Sequence, residues 1–150
     1  MEQLTWTYSC FNELSAKEVY VILSLRSKVF VVEQNCVYLD TDGKDIDALH
    51  ICGWMGDTLV AYARILPPGL AFTEASIGRV VTDPEWRKSG NGRLLMQTAI
   101  EKTLSQFTVS SIRIGAQTYL INFYASLGFR QQGQIYIEDG IPHIEMVYSK

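Results

Sequence analysis

Seven consecutive residues, Arg87-Lys88-Ser89-Gly90-Asn91-Gly92-Arg93, put three cations and two glycines where a hydrophobic strand hands over to a helical pattern. Ile77, Val80 and Val81 are strand residues, two of them β-branched, and Asp83-Pro84 ends their run. Beyond the glycines, Met96, Ala99, Ile100, Thr103, Leu104 and Phe107 recur on one helical face. The first N–H groups of a helix lack internal partners and carry the positive end of its dipole. Glycines let a ligand approach that backbone, so the arrangement is a cradle for a phosphate or pyrophosphate. A Walker loop is excluded because no G-x-x-x-x-G-K-[ST] occurs. A dinucleotide fingerprint is excluded because its third glycine would fall on Leu95. What is left is R-x-x-G-x-G; its bland counterpart is a glycine-rich strand-to-helix turn.

A second polar concentration lies at residues 34–49, with Asp40, Asp42, Asp45 and Asp47. A calcium loop is excluded, since Gly43 directly follows the second aspartate and the twelfth position from Asp40 is Ile51. No metal site is expected. The carboxylates form either one wall of an acceptor site, drawing in a cationic amine, or a solvated loop. His50 opens the next strand, as a structural histidine or as a base at the strand mouth. Arg64 sits in an otherwise apolar strand, where it pairs with an acid or faces solvent. Arg26 and Glu33 are charges on or beside an apolar helix face, read as a salt-bridged or solvated pair.

The elements that must hold these residues follow in order. Leu4, Trp6, Tyr8 and Cys10 alternate with polar residues and predict a first strand with one buried face. Ser15-Ala16-Lys17-Glu18 is a capping box that starts a helix facing inward with Val19, Ile22, Leu23 and Val29. Leu49–Met55 and Leu59–Leu66 read as a hairpin around Gly56-Asp57, and Pro67-Pro68-Gly69 breaks the chain before the central strand. Ser111–Gly115 predicts a short parallel-type strand, Thr118–Leu127 a helix closed by Gly128, and Phe129–Ile137 with Ile141–Tyr148 a hairpin on Asp139-Gly140.

Composition bounds the class. The 150 residues are 47% hydrophobic and 19% charged, values for one globular domain spanning 1–150. A net charge of −3 argues against a nucleic-acid partner. Cys10, Cys36 and Cys52 form no C-x-x-C pair and read as reduced thiols, which suggests a cytoplasmic protein. No apolar run is long enough to span a membrane, and no membrane partner is expected.

R-x-x-G-x-G after a Val-Val-Thr strand resembles the acetyl-CoA-binding motif of the GNAT N-acetyltransferases. Asn122-Phe123-Tyr124-Ala125-Ser126-Leu127-Gly128-Phe129 is similar to that superfamily's downstream block. VFVVEQNCVYLDTDGKD, HICGW and LVAYARIL resemble its ElaA-like branch, so the likeness covers nearly the whole chain. It implies a mixed α+β fold: a central, mostly antiparallel twisted sheet of about six to seven strands flanked by helices.

The resemblance further implies acetyl-CoA as co-substrate in a gap between the central strand and the strand at 111–115. Val80, Val81 and Thr82 would pair with the pantetheine, and a backbone N–H near Val80 or Val81 would polarise the thioester. Arg87, Lys88, Ser89, Gly90, Asn91, Gly92 and Arg93 would hold the pyrophosphate, with Asn122 nearby. Tyr124 is the implied general acid. Where some members carry a basic glutamate this chain has Ser76, which leaves Glu33, Glu74, His50 or an ordered water as the base. The acceptor is then a small-molecule or peptide amine, and a homodimer is compatible with the family. A non-catalytic acyl-CoA-binding regulatory domain is the alternative, and a nucleotide- or phosphate-binding protein sharing only the loop is the third reading.

Overall fold

The computed structural model describes residues 4–150, with the side chains of residues 88 and 89 outside the description. Strand β1 is Thr5–Cys10. Helix α1, Ala16–Arg26, begins at a closed capping box: Glu18 N–H donates to Ser15 Oγ at 3.1 Å, and Ser15 N–H to Glu18 Oε1 at 2.8 Å. The helix widens into a π-helical turn, Ser27–Glu33. Strands β2 (Leu49–Met55) and β3 (Thr58–Leu66) form the expected hairpin, and β4 is Ser76–Thr82. A 3-10 helix, Pro84–Ser89, then leads to helix α2, Asn91–Phe107. Strand β5 is Ser111–Gln117, helix α3 Ile121–Ser126, and the closing hairpin is β6 (Phe129–Glu138) with β7 (Ile141–Ser149).

Two antiparallel sheets result, β1-β2-β3-β4 and β5-β7-β6. A single parallel bridge between Ala75 and Ile112 joins them, with Arg113 N–H donating to Ala75 O at 2.9 Å. Past that bridge β4 and β5 share no ladder, so the two sheets part like a V.

A bulge helps open it. Tyr62 faces Val81 and Arg64 faces Gly78, so Ala63 alone opposes both Arg79 and Val80. Arg79 takes a left-handed φ of 50°, uncommon for a side-chain-bearing residue. Such a bulge bends a strand and tightens its twist, here at the edge beside β5.

β3 is buried on both faces, which explains its nearly unbroken hydrophobic run. On one face Ala61, Ala63 and Ile65 pack with Leu95, Met96, Ala99 and Ile100 of α2. On the other, Leu59 and Tyr62 pack with Ile22, Leu25 and Val29 of the α1 region. The buried position in α1 is thus Leu25 rather than Leu23, because the stripe turns with the helix. β1 has no buried residue, contrary to its alternation: it is an edge strand, and only Trp6 packs on the core. In the second sheet Ile112, Ile114, Ala116, Ile144 and Met146 enter the main core. Their alternates Arg113, Gly115, Gln117, His143 and Glu145 therefore occupy the opposite face.

Candidate active site

The V-shaped gap opens into a cavity of about 740 Å³. Val80, Val81 and Thr82 line it from β4, and Ile114, Gly115 and Gln117 from β5. The β5-facing edge of β4 past Ala75 has no strand partner, so its backbone can accept an extended ligand as an added strand.

Arg87 brings the chain from the cavity to the cradle; Gly90, Asn91, Gly92 and Arg93, which form it, are not themselves among the lining residues. Asp83 caps the 3-10 helix by accepting from Glu85 N–H at 3.0 Å, and Gly90 takes φ 73° to turn the chain into α2. Leu94 N–H is the first to bond back, to Gly90 O at 3.1 Å. The N–H groups of Asn91, Gly92 and Arg93 therefore have no intrahelical partner. Among the described residues, a Cβ on Gly92 would meet nothing within 4 Å, which leaves the approach open there. Asn91 is buried and braces the turn, its Nδ2 donating to Trp86 O at 2.8 Å.

The cations divide. Arg87 lines the cavity but holds Glu33 in a bidentate pair, one bond being 2.8 Å. Arg93 turns to α3 and donates to Ser126 Oγ at 2.8 Å, tying two helices together. The side chains of Lys88 and Ser89 lie outside the described residues. Asn122 is exposed on α3 and is not among the cavity-lining residues.

Tyr124 comes from the core side of the gap. It is 8% exposed, lines the cavity, and sits edge-on between Phe123 and Phe129. Its hydroxyl makes no hydrogen bond among the described residues, and burial pushes its pKa up to about 12. It is a protonated phenol aimed into an open cavity.

Each of the three expected bases is already bonded to another group. His50 is buried outside the cavity lining; Nδ1 meets Tyr62 Oη at 2.7 Å and Nε2 meets Asp45 O at 2.8 Å. Burial also lowers its pKa. Glu74 precedes β4 rather than sharing a strand face with Ser76, and it grips Arg113 at 3.0 Å and 3.1 Å. Glu33 does line the cavity, but as the partner of Arg87, whose hydrogen bond holds its carboxyl below the usual range. Ser76 is buried in the lining.

The aspartate loop is not a free acidic wall. Fully buried Arg26 donates to Asp40 at 2.7 Å and Asp45 at 2.8 Å, where the sequence left a salt-bridged or solvated pair with Glu33 open. Arg64 reaches Asp42 and Asp45, both through Nη1, at 2.7 Å and 2.9 Å. Arg79 Nε lies 2.8 Å from Asp40 Oδ1, and its Nη2 donates to Asp40 O at 2.9 Å. Burial alone would raise the Asp42 carboxyl, yet bonds from Arg64 and the Lys44 N–H carry it well below the ordinary range. Three aspartates meet three arginines, so little charge remains to draw an amine.

Sequence reasoning missed the opposite wall. Tyr136, Glu138, Asp139 and His143, from the β6–β7 hairpin, also line the cavity. The hairpin reaches across to the loop after α1, where Cys36 Sγ donates to Asp139 O at 3.3 Å. Tyr136 stacks on His143 and lays its hydroxyl over β5: a Cβ at Gly115 would stand 2.6 Å from it. The available signal was the register about Asp139-Gly140, which sets Tyr136 opposite His143.

Residues 27–150 match the acetyltransferase (GNAT) domain family. The chain belongs to the GNAT family. Among curated relatives, the GNAT-family chain is 43% identical to protein ElaA of Escherichia coli over 95% of each chain. It is 40% identical to a UPF0039 protein of Synechocystis over 97% of this chain and 96% of that one. Two crystal structures superpose on this GNAT fold. That of E. coli ElaA does so with a TM-score of 0.91 at 42% identity, over 98% of this chain and 100% of the other. An acyl-CoA N-acyltransferase from Pseudomonas aeruginosa gives 0.93 at 37% identity with the same coverage. Among the described residues, no helix is long and apolar enough to cross a membrane, and no cluster of three His, Cys, Asp or Glu could hold a metal ion.

Proposed function

We propose that this GNAT-family chain is an acetyl-CoA-dependent N-acetyltransferase in which a primary amine attacks the thioester directly. The observation that carries the reading is the unpaired β4 edge facing β5, with the Tyr124 hydroxyl free inside the same cavity. The pantetheine would add to Val80–Thr82 as a strand. The pyrophosphate would meet the N–H groups of Asn91, Gly92 and Arg93, with Arg87 turning from Glu33 to add charge. The acetyl group would then lie between β4 and β5, where Tyr124 O–H donates to the departing thiolate. The acceptor is a small-molecule or peptide amine that enters beside the β6–β7 hairpin. Free Cys10, Cys36 and Cys52 support a reducing, cytoplasmic setting.

Thermal melts with acetyl-CoA, CoA, ATP and NAD test this in wild type and Gly92→Trp. The open space at Gly92 lets the tryptophan fold while blocking the cradle. At 100 times Kd a ligand adds about 2.7 kcal/mol. In a chain of this size that raises Tm by about 5–10 °C. The CoA species alone should do so, and only in wild type; no response to either would overturn the proposal.

A further inference from the structure

We propose that His143, on the sheet face opposite Tyr124, is the base that takes the proton from the acceptor ammonium; this rests on the acetyl-transfer reading above. Neither the motifs nor the three candidate bases pointed to it. Its geometry does.

His143 is 7% exposed and lines the cavity. Nδ1 lies 2.7 Å from Ile141 O. A carbonyl only accepts, so Nδ1 carries the proton and the neutral ring keeps its lone pair on Nε2. Nε2 makes no hydrogen bond among the described residues; the Glu138 carboxylate stands 3.7 Å away. That spacing is too long for a hydrogen bond and leaves Nε2 open towards the cavity. Tyr136 stacks on the ring at 5.7 Å and fixes its plane. His143 is therefore a restrained imidazole with one bare nitrogen beside a carboxylate.

Its position is set by register. His143 pairs with Gln117 of β5 and Tyr136 of β6, and cross-strand partners share a face. Tyr124 packs with Ile112, Ile114 and Ile144 on the other face. A thioester lying in the gap would thus meet the nucleophile from one side and the proton donor from the other.

The step balances. His143 Nε2 takes one proton from R–NH3+ and passes it to solvent. The freed amine forms the C–N bond to the thioester carbon, and the C–S bond breaks. Tyr124 donates its proton to the thiolate and recovers one from the nitrogen of the new amide. The products are amide, CoA thiol and one released proton.

Thiol release from acetyl-CoA, compared between propylamine and methoxyamine at neutral pH, tests the assignment. Propylamine arrives as an ammonium, whereas weakly basic methoxyamine arrives already neutral. His143→Gln should slow the propylamine reaction by about 10²- to 10³-fold and leave the methoxyamine reaction within a few-fold. Equal losses with both amines would overturn the role. Nitrogen-15 NMR of His143 supplies a readout independent of turnover: the neutral ring should be protonated on Nδ1. Protonation on Nε2 would remove the lone pair and sink the base assignment while leaving acetyl transfer intact. Failure of acetyl-CoA to stabilise the protein would overturn both readings.

Discussion

Replacing Tyr124 by Phe removes one oxygen and little else. The ring keeps its edge contacts, with centroids 5.2 Å from Phe123 and 5.8 Å from Phe129. The lost hydroxyl had no hydrogen bond among the described residues, so Tm should barely move. The kinetic cost follows from acidity. With the phenol pushed up to about 12, outright transfer of its proton to a thiolate of ordinary pKa about 8.5 would climb about 5 kcal/mol. Tyr124 therefore hydrogen-bonds the sulfur as charge develops there and releases its proton only as the nitrogen of the new amide returns one, so that no free phenolate forms. A hydrogen bond to a charged group contributes about 1.5–3 kcal/mol. The single-turnover rate should thus fall by about 10- to 150-fold. Because burial raises the pKa, the phenol stays protonated until strongly alkaline pH and should add no alkaline limb near neutrality. The assay is rapid-quench acetyl transfer at saturating acetyl-CoA, beside calorimetric Kd values for acetyl-CoA in wild type and Tyr124→Phe. An unchanged single-turnover rate would refute the reasoning, and so would a rate loss that merely follows weakened acetyl-CoA binding.

Two further perturbations separate binding from framework. Glu33→Gln should release Arg87 for the pyrophosphate; an ion pair whose side chains are about 40% exposed is worth at most about 1 kcal/mol, so the CoA Kd should fall by up to about fivefold. Weaker CoA binding in calorimetry would show that Arg87 serves the fold rather than the phosphate. Arg26→Ala removes the fully buried cation from Asp40 and Asp45, leaving them only Arg79 and Arg64, and should cost about 3–5 kcal/mol, lowering Tm by about 6–20 °C in a circular dichroism melt. A shift under about 2 °C would mean the aspartates relax to solvent and Arg26 does not hold the loop.

Much of the frame was legible because local chemistry and tertiary placement agreed. The Ser15–Glu18 capping box, the Gly56 and Asp139-Gly140 turns and the α2 stripe each formed where their residues called for them. The misreadings share one cause: burial depends on the neighbour as well as on the pattern. β1 alternates but lies at an edge, so Tyr8 and Cys10 meet solvent and Trp6 packs only partly on the core. The π turn at Ser27–Glu33 moved Val32 outward, to 73% exposure, although it continues a hydrophobic run.

The site was legible where it is made of backbone and illegible where it is made of long-range pairs. The glycine cradle and Tyr124 sit in contiguous motifs, whereas Glu33 and Arg87 are 54 residues apart and Asp40 and Arg79 are 39. Those separations carry no local signal, so the aspartate loop invited a reading as an amine trap. Its partners suggest another purpose. Arg79 is itself the left-handed bulge residue of β4, a conformation that costs about 1 kcal/mol or more without glycine. Asp40 grips that same Arg79 through a carboxylate oxygen and its carbonyl, and buried Arg26 holds Asp40 in turn. The loop thus fixes the bend that leaves the β4 edge unpaired and the gap open. Charges that looked like part of the chemistry hold apart the two strands between which the chemistry would occur.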